Sequence, residues 1–218
     1  AGKGAYLTAE ERGAIDARAQ ELGLWGMDAP HDLGGSDLPA VAMVAVNIAL
    51  GRTVTPYVFP PDSPNLRMLA ATVSDAQRAD YLAPYVAGTK TSAIAISEPG
   101  AGADPSAMTT RAVRDGDSWV LNGRKIWITR AAEADFLIVM ALTGKEGERR
   151  DRISAFLIDQ GTPGMIMERE IPMIGGTSSW EVVFDDCRVP ESALLGREGD
   201  GFAPMQVRLG TRRLEMAC

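Results

Sequence analysis

The chain has 218 residues, 45% of them apolar, which is enough for the core of one or two domains. Its net charge of −7 argues against nucleic acid or an anionic membrane as the main partner. Two cysteines give no disulfide framework, so the sequence favours a reducing, cytoplasmic location.

The first part of the chain has helical signals. Thr8 and Glu11 form a capping box, and Gly23 is placed to end the helix that follows. The stretch AVAMVAVNIAL, residues 40–50, predicts a buried helix; it has about half of the ~20 residues that a membrane span needs, so we predict no membrane span. Ser74 begins another helix, which we expect to run through about Leu82 and to stop there because Pro84 interferes.

After residue 90 the apolar pattern changes to the period of two that is typical of strands. Residues 109–129 predict three strands, joined by a turn at Asp115-Gly116-Asp117 and a hairpin turn at Asn122-Gly123. Apolar runs up to residue 189 add further strands, and residues 201–218 predict a helix.

The sequence therefore predicts an α+β fold in which an N-terminal all-helical domain precedes an antiparallel β-barrel domain of about seven strands, with a sandwich as the alternative, followed by the start of a C-terminal helical bundle. The predicted boundaries are 1–90, 91–198 and 199–218. Because the chain lacks an initiator Met and stops inside a helical pattern, we expect it to be a piece of a longer protein.

The stretch ISEPGAGAD, residues 96–104, has two open interpretations. It is either a wide turn whose glycines supply positive φ, or a loop whose backbone N–H groups face a cofactor. A dinucleotide fingerprint is excluded because no helix follows the glycines. Glu98 and Asp104 are a weak candidate for an acid–base pair, since carboxylates beside glycines often organise turns.

The stretch KIWIT, residues 125–129, is the second candidate. In a strand, Trp127 and Thr129 share one face, where an aromatic plate beside a hydroxyl would suit a flat heteroaromatic ring. An ordinary cross-strand aromatic pair is the alternative. One His and two distant Cys do not supply zinc spacing, so we predict no metal site.

An ordered series of motifs resembles the flavin-dependent acyl-CoA dehydrogenase family. The series comprises HDLGGSDLPAVAMVAVNIALGR, AQRADYLAPYVAG, AIAISEPGAGAD, WVLNGRKIWIT, FDDCRVPESALLG and EGDGFAPMQ, and it covers nearly the whole chain. The resemblance implies a helical domain, a β-domain and a C-terminal four-helix bundle, of which this chain holds only the opening turns. It also implies FAD as cofactor.

The resemblance implies roles for individual residues. The expected FAD contacts are Ile94, Ile96, Ser97, Gly102, Ala103, Trp127, Ile128 and Thr129. Ser97 would bond the pyrimidine side of the ring, Trp127 would pack on it, and Thr129 would lie near N5. Ala103 stands where the family usually has a Ser or Thr that contacts FAD and substrate, and Arg213 would help to bind acyl-CoA. On this interpretation Glu98 and Asp104 brace the loop.

The implied reaction is α,β-dehydrogenation of an acyl-CoA thioester in fatty acid metabolism, with a carboxylate taking the α proton. Neither family position for that base offers a Glu here, because one is Arg212 and the other would lie beyond residue 218. We therefore name no catalytic residue and expect the chain alone to be inactive. An electron-transfer flavoprotein is the expected electron acceptor, and a homodimer or homotetramer the expected assembly. A same-fold acyl-CoA oxidase or flavin monooxygenase, or a non-catalytic flavin- or partner-binding remnant, are the alternatives.

Overall fold

A computed structural model describes residues 7–53, 57–144, 153–173 and 178–217. Its helices come first along the chain, apart from the last one. They are α1 (Ala9–Glu21), α2 (Ala40–Leu50), α3 (Ser63–Ala70), α4 (Asp75–Gln77), α5 (Ala83–Val86) and α6 (Phe202–Met216). The helical first part of the chain is therefore confirmed.

Local capping signals set the ends of α1 as predicted. The Thr8 hydroxyl accepts from the Glu11 amide at 3.2 Å, and the Glu11 carboxylate accepts from the Thr8 amide at 2.9 Å. Gly23, with φ +69°, follows the last turn in the left-handed conformation that glycine adopts at low cost.

Two predictions about the helices are wrong. The first is the burial of α2, since none of its residues is buried and Val41 is largely exposed. The second is the stop near Pro84. The helical stretch continues to Val86, because a π-helical turn at Arg78–Leu82 precedes α5 and Pro84 occupies its first turn, where a missing N–H is tolerated.

Eight strands build one sheet from the described residues. They are β1 (Ser92–Ala95), β2 (Arg111–Asp115), β3 (Ser118–Thr129), β4 (Phe136–Leu142), β5 (Ile153–Asp159), β6 (Met165–Pro172), β7 (Ser178–Pro190) and β8 (Leu194–Leu195). Their order is β6-β7-β3-β2-β4-β5-β8, and β1 pairs with β4 beside this path.

The predicted closed, antiparallel barrel needs correction. The sheet is mostly antiparallel, but β1–β4 and the short β2–β4 contact are parallel. It is also not closed, because β6 and β8 stand at the two ends of the order without pairing to each other. β8 has only two residues, too few to supply the ladder that closure needs.

The predicted hairpin turn at Asn122-Gly123 is also wrong. β3 runs through these residues, and a Cβ at Gly123 would lie 2.4 Å from the Thr110 hydroxyl oxygen. The Asn122 side chain donates to the Asp186 carboxylate of β7 and accepts from the Asp186 backbone amide. Glycine at position 123 therefore allows a close approach between backbones inside the sheet, whereas the Gly116 turn lies where it was predicted.

The chain divides into two compact units. The helical unit comprises residues 1–71, 75–89 and 206–218, and the sheet unit comprises 72–74 and 90–205. The core of the sheet unit lies on the inner faces of β3, β4, β5 and β7, where Trp119 meets Phe156 edge to face at 5.5 Å. The domain boundaries at 90 and 198 remain predictions. Among the described residues, no helix combines the length and apolarity needed to cross a bilayer.

Candidate functional site

The glycine-rich stretch forms a tight turn directly after β1. The Glu98 amide donates to the Ala101 carbonyl at 2.9 Å, and the Ala101 amide donates back to the Glu98 carbonyl at 3.1 Å. Neither Gly100 nor Gly102 has positive φ, and a Cβ added at either would meet no atom of the described residues within 4 Å. The chain itself therefore does not require glycine here, and the interpretation that the glycines supply positive φ is wrong.

Predicted cofactor residues in β1 and just after it are less buried than the core residues of that strand. Ala93 and Ala95 are buried in the core, whereas Ile94, Ile96 and Ser97 are only half-buried. Gly102 and Ala103 lie exposed in the turn that follows. The sheet therefore presents these five predicted residues on partly open surface.

A β-bulge shapes the second motif. Lys125 pairs with Val182 and Ile128 with Trp180, so β3 has one extra residue between these positions. Trp127 lies in the bulge with φ +64° and is 59% exposed, whereas Ile128 is buried in the core. An Ile128 contact to a ligand on the exposed face would therefore have to use its backbone.

Trp127 and Thr129 share one face, as predicted, and both point away from the core. The Thr129 hydroxyl lies 3.3 Å from the hydroxyl of buried Ser179 on β7, and Ser179 donates to the Met173 sulfur at 2.9 Å. Ser179 therefore anchors the Thr129 side chain, which sequence reasoning missed because Ser179 lies in none of the motifs.

Backbone and side-chain hydrogen bonds join the two motifs. The Ile126 amide donates to the Ser97 carbonyl at 2.9 Å, and the Lys125 ammonium donates to the Ile96 carbonyl at 3.1 Å. The structure thus brings the end of β1 against the bulge of β3, although some thirty residues separate them in the sequence.

A buried ion pair also connects the two motifs. The Lys125 Nζ lies 2.8 Å from the Glu98 carboxylate, and the two side chains are 0% and 2% exposed. Burial lowers the pKa of Lys125 to about 8, although Glu98 opposes this shift. Burial alone would raise the pKa of Glu98, but the charge and hydrogen bond of Lys125 outweigh it and lower this pKa to about 2.

The Glu98 carboxylate also accepts hydrogen bonds from the segment before β2. It accepts from the Thr109 amide at 2.6 Å, the Thr109 hydroxyl at 2.8 Å and the Thr110 amide at 3.0 Å. Glu98 therefore braces the loop, as predicted. Asp104 is exposed, and its carbonyl accepts from Ala107 at 3.2 Å, so these contacts give no acid–base pair with Glu98.

The role of Lys125 was missed, although the sequence contains a signal for it. Trp119 and Leu121 point to the core, and counting by two from them places Lys125 inward as well. A Lys on the buried face needs an anionic partner, and Glu98 is a carboxylate within the other motif.

Arg213, the predicted acyl-CoA contact, lies exposed on α6 in the helical unit. The adjacent Arg212 forms an ion pair of 3.1 Å with Glu215, whose pKa is raised chiefly by burial. The structure thus gives Arg213 a solvent-accessible guanidinium and leaves its ligand role a prediction.

Comparison with known families agrees with the motif series. The N-terminal domain profile of the acyl-CoA dehydrogenases matches residues 6–89, and the profile described as "Acyl-CoA dehydrogenase, middle domain" matches residues 93–187. This chain belongs to the acyl-CoA dehydrogenase family.

Individual acyl-CoA dehydrogenases are similar over most of the chain. The (R)-benzylsuccinyl-CoA dehydrogenase of Thauera aromatica is 41% identical over 91% of this chain and 50% of its own length. The human mitochondrial short-chain specific enzyme is 37% identical over 90% of this chain and 48% of its own length. A structure from Mycobacterium abscessus, described as a putative acyl-CoA dehydrogenase, has a TM-score of 0.86 and 31% identity, covering 100% of this chain and 56% of that one.

The chain spans about half the length of the curated relatives that it matches. The family assignment made from the motifs is confirmed, and the fold is that of the N-terminal helices and sheet of an acyl-CoA dehydrogenase.

Proposed function

We propose that this chain forms the flavin-binding part of an FAD-dependent acyl-CoA dehydrogenase. The observation that carries the proposal is the hydrogen bond from the Ile126 amide to the Ser97 carbonyl, which brings the residues just before the glycine-rich turn against the strand that exposes Trp127 and Thr129. An exposed indole offers a stacking surface and a hydroxyl offers a polar contact to a ring edge. Both belong to one strand, which fixes their spacing.

The residues present fit FAD. No atom of the described residues fills the space where a Cβ of residue 100 or 102 would lie. Because glycine leaves that space open, a bound group could approach the backbone closely there. Trp127 would pack against the ring system, with Thr129 near its N5 edge and Ser97 near its pyrimidine side. FAD, when bound, would supply the acceptor for the hydride from the β carbon of the substrate.

The substrate class follows from the family and from the relatives' names. We propose an acyl-CoA thioester, with Arg213 contributing a cation to its binding. Ala103 replaces the hydroxyl that the family usually has in the turn, so we expect weaker contacts to FAD or to the thioester. An Ala103→Ser variant should tighten at least one of the two affinities, and unchanged affinities for both would contradict this.

The proton acceptor is not assigned. Position 212, where a minority of the family carries the base, is Arg, and its guanidinium pairs with Glu215. We therefore expect the isolated 218-residue polypeptide to turn over acyl-CoA poorly. An electron-transfer flavoprotein as acceptor, a homo-oligomeric assembly and a cytoplasmic location complete the proposal.

The test is reconstitution of the purified chain with FAD. We expect flavin absorbance to co-purify after gel filtration, and the fluorescence of Trp127 to be quenched on titration. Trp127→Phe should remove that part of the quenching, whereas Trp25→Phe, in the helical unit, is the matched control. Saturating FAD without any change in Trp127 emission would overturn the proposal. Anaerobic mixing with a panel of acyl-CoAs then tests turnover.

A further inference from the structure

We propose that Lys125 and Glu98 are positioning residues of the cofactor site. Their buried ion pair holds the β3 bulge that turns Trp127 and Thr129 outward. This inference rests on the proposed function, because it assumes that the exposed edge of the bulge is where FAD binds.

Strand geometry shows why the bulge matters. Without an extra residue, Lys125, Trp127 and Thr129 would share one face, because side chains alternate along a strand. In the structure Lys125 points to the core, whereas the other two point outward. The bulge between Lys125 and Ile128 therefore lets one strand bury a cation and still present an aromatic ring and a hydroxyl to a ligand.

The bulge needs support from the surrounding residues. Trp127 adopts φ +64°, which is unfavourable for a bulky side chain and persists only where neighbouring contacts hold it. No ladder pairing to β7 is made by Ile126 or Trp127 themselves. On the other side of β3, the Ile126 amide is instead bonded to the Ser97 carbonyl.

Lys125 connects that support to the glycine-rich turn. Its ammonium bonds the Ile96 carbonyl and the Glu98 carboxylate, which stand on either side of Ser97. The backbone of Glu98 also forms the glycine-rich turn, through its two reciprocal hydrogen bonds with the backbone of Ala101. Loss of the ammonium would therefore release both the bulge and the turn, although neither charged group reaches the exposed surface.

The experiment compares Lys125→Met with Arg124→Met in the full chain. Arg124 is the adjacent residue and also pairs with a carboxylate, that of Glu181 at 2.6 Å, but its side chain is 45% exposed. We expect Lys125→Met to raise the Kd for FAD by about tenfold or more, and Arg124→Met to change it by less than about twofold. The Kd is measured by flavin fluorescence titration.

A second measurement reports the geometry of the β3 bulge in the absence of FAD. With 5-fluorotryptophan incorporated, the ¹⁹F resonance of Trp127, assigned through Trp127→Phe, should shift or broaden in Lys125→Met. The resonance of Trp25 in the helical unit should stay in place. Leu157→Ala, a buried change on β5, gives a chain of reduced stability in which we expect the Trp127 resonance and the FAD affinity to be retained.

A double variant, Glu98→Gln with Lys125→Met, keeps the test valid if the single variant fails to fold. It leaves no unpaired buried charge, but it still lacks the donor to the Ile96 carbonyl, so we expect FAD affinity to remain low. Wild-type affinity together with an unmoved Trp127 resonance in a folded Lys125 variant would overturn the inference. An equal loss of affinity in Leu157→Ala would do the same. Failure of the wild-type chain to bind FAD would instead contradict the proposed function.

Discussion

Charged side chains are placed differently in the two units. In the helical unit the ion pairs face solvent: Arg18 and Glu21 are 65% and 63% exposed, and even Arg67, beside buried Asp28, keeps a third of its side chain exposed. The sheet unit also has exposed pairs, such as Arg130 with Glu133, but its pair of Lys125 and Glu98 is buried on both sides. Because desolvating two charges costs about as much as their attraction returns, such a pair is better explained by the geometry it fixes than by net stability.

The largest effect should come from breaking the buried pair. Lys125→Met leaves the Glu98 carboxylate buried without its cation, so we expect the sheet unit to lose about 3–5 kcal/mol of unfolding free energy. Urea denaturation followed by the ¹⁹F signals of Trp119 and Trp180 measures this unit, and the Trp25 signal reports the helical unit.

The double variant Glu98→Gln with Lys125→Met sharpens this prediction. If the cost comes from the unpaired charge, the double change should cost less than the sum of the single changes by about 1–3 kcal/mol. Strictly additive costs would show that the two groups act independently, against the contact of 2.8 Å between them.

Acid should weaken the sheet unit through the same carboxylate. The pKa of Glu98 is about 2 in the folded chain, against 4.5 ordinarily, so its contribution is present above pH 4.5 and is lost as the pH falls toward 2. Within that window the unfolding free energy should fall by up to about 1.4 kcal/mol per pH unit from this group.

Glu98→Gln is the control variant for the dependence of stability on pH. It should be less stable at neutral pH, because Lys125 is then unpaired, but its stability should depend less on pH between 4.5 and 2. Equal slopes for the two proteins over this range would rule out Glu98 as the titrating group.

Gly88 and Gly102 distinguish a glycine that packing requires from a glycine that we expect ligand binding to require. Gly88 has φ +76°, and a Cβ there would lie 2.2 Å from the Trp25 ring, so Gly88→Ala should destabilise the helical unit by about 1–3 kcal/mol. Gly102→Ala meets open space and should leave the sheet unit within about 0.5 kcal/mol of wild type. It should nevertheless weaken FAD binding. Thermal unfolding and FAD titration of both variants check this, and a large stability loss in Gly102→Ala would be the contrary result.

Local signals explain what the sequence could predict. The Thr8–Glu11 capping box and the Gly116 turn depend on residues close in the chain, and both lie where expected. The motif series identified the family because its order is preserved along the chain. The strand pattern also placed Trp127 and Thr129 on one face.

Long-range contacts explain what could not be predicted. Asn122-Gly123 has the composition of a hairpin turn, but Thr110 approaches so closely that glycine is needed inside a continuous strand. The apolar composition of α2 predicted burial, although burial depends on which other segment covers a helix. The Glu98–Lys125 pair joins residues from two motifs, and only the bulge reveals why the inward Lys does not carry Trp127 inward as well.

The smallest effect should come from the exposed pair of α1. Arg18 and Glu21 lie 2.6 Å apart but remain mostly in solvent, where water and salt screen their attraction and two long side chains lose rotamer freedom. Glu21→Gln should therefore change the unfolding free energy of the helical unit by less than about 0.5–1 kcal/mol, and less still at 1 M salt. Urea denaturation at low and high salt, followed by the Trp25 signal, measures the difference. If Glu21→Gln lowered the unfolding free energy as much as Lys125→Met, the distance between the charges, and not their burial, would determine how much an ion pair stabilises this protein. The contrast between the two units would then disappear.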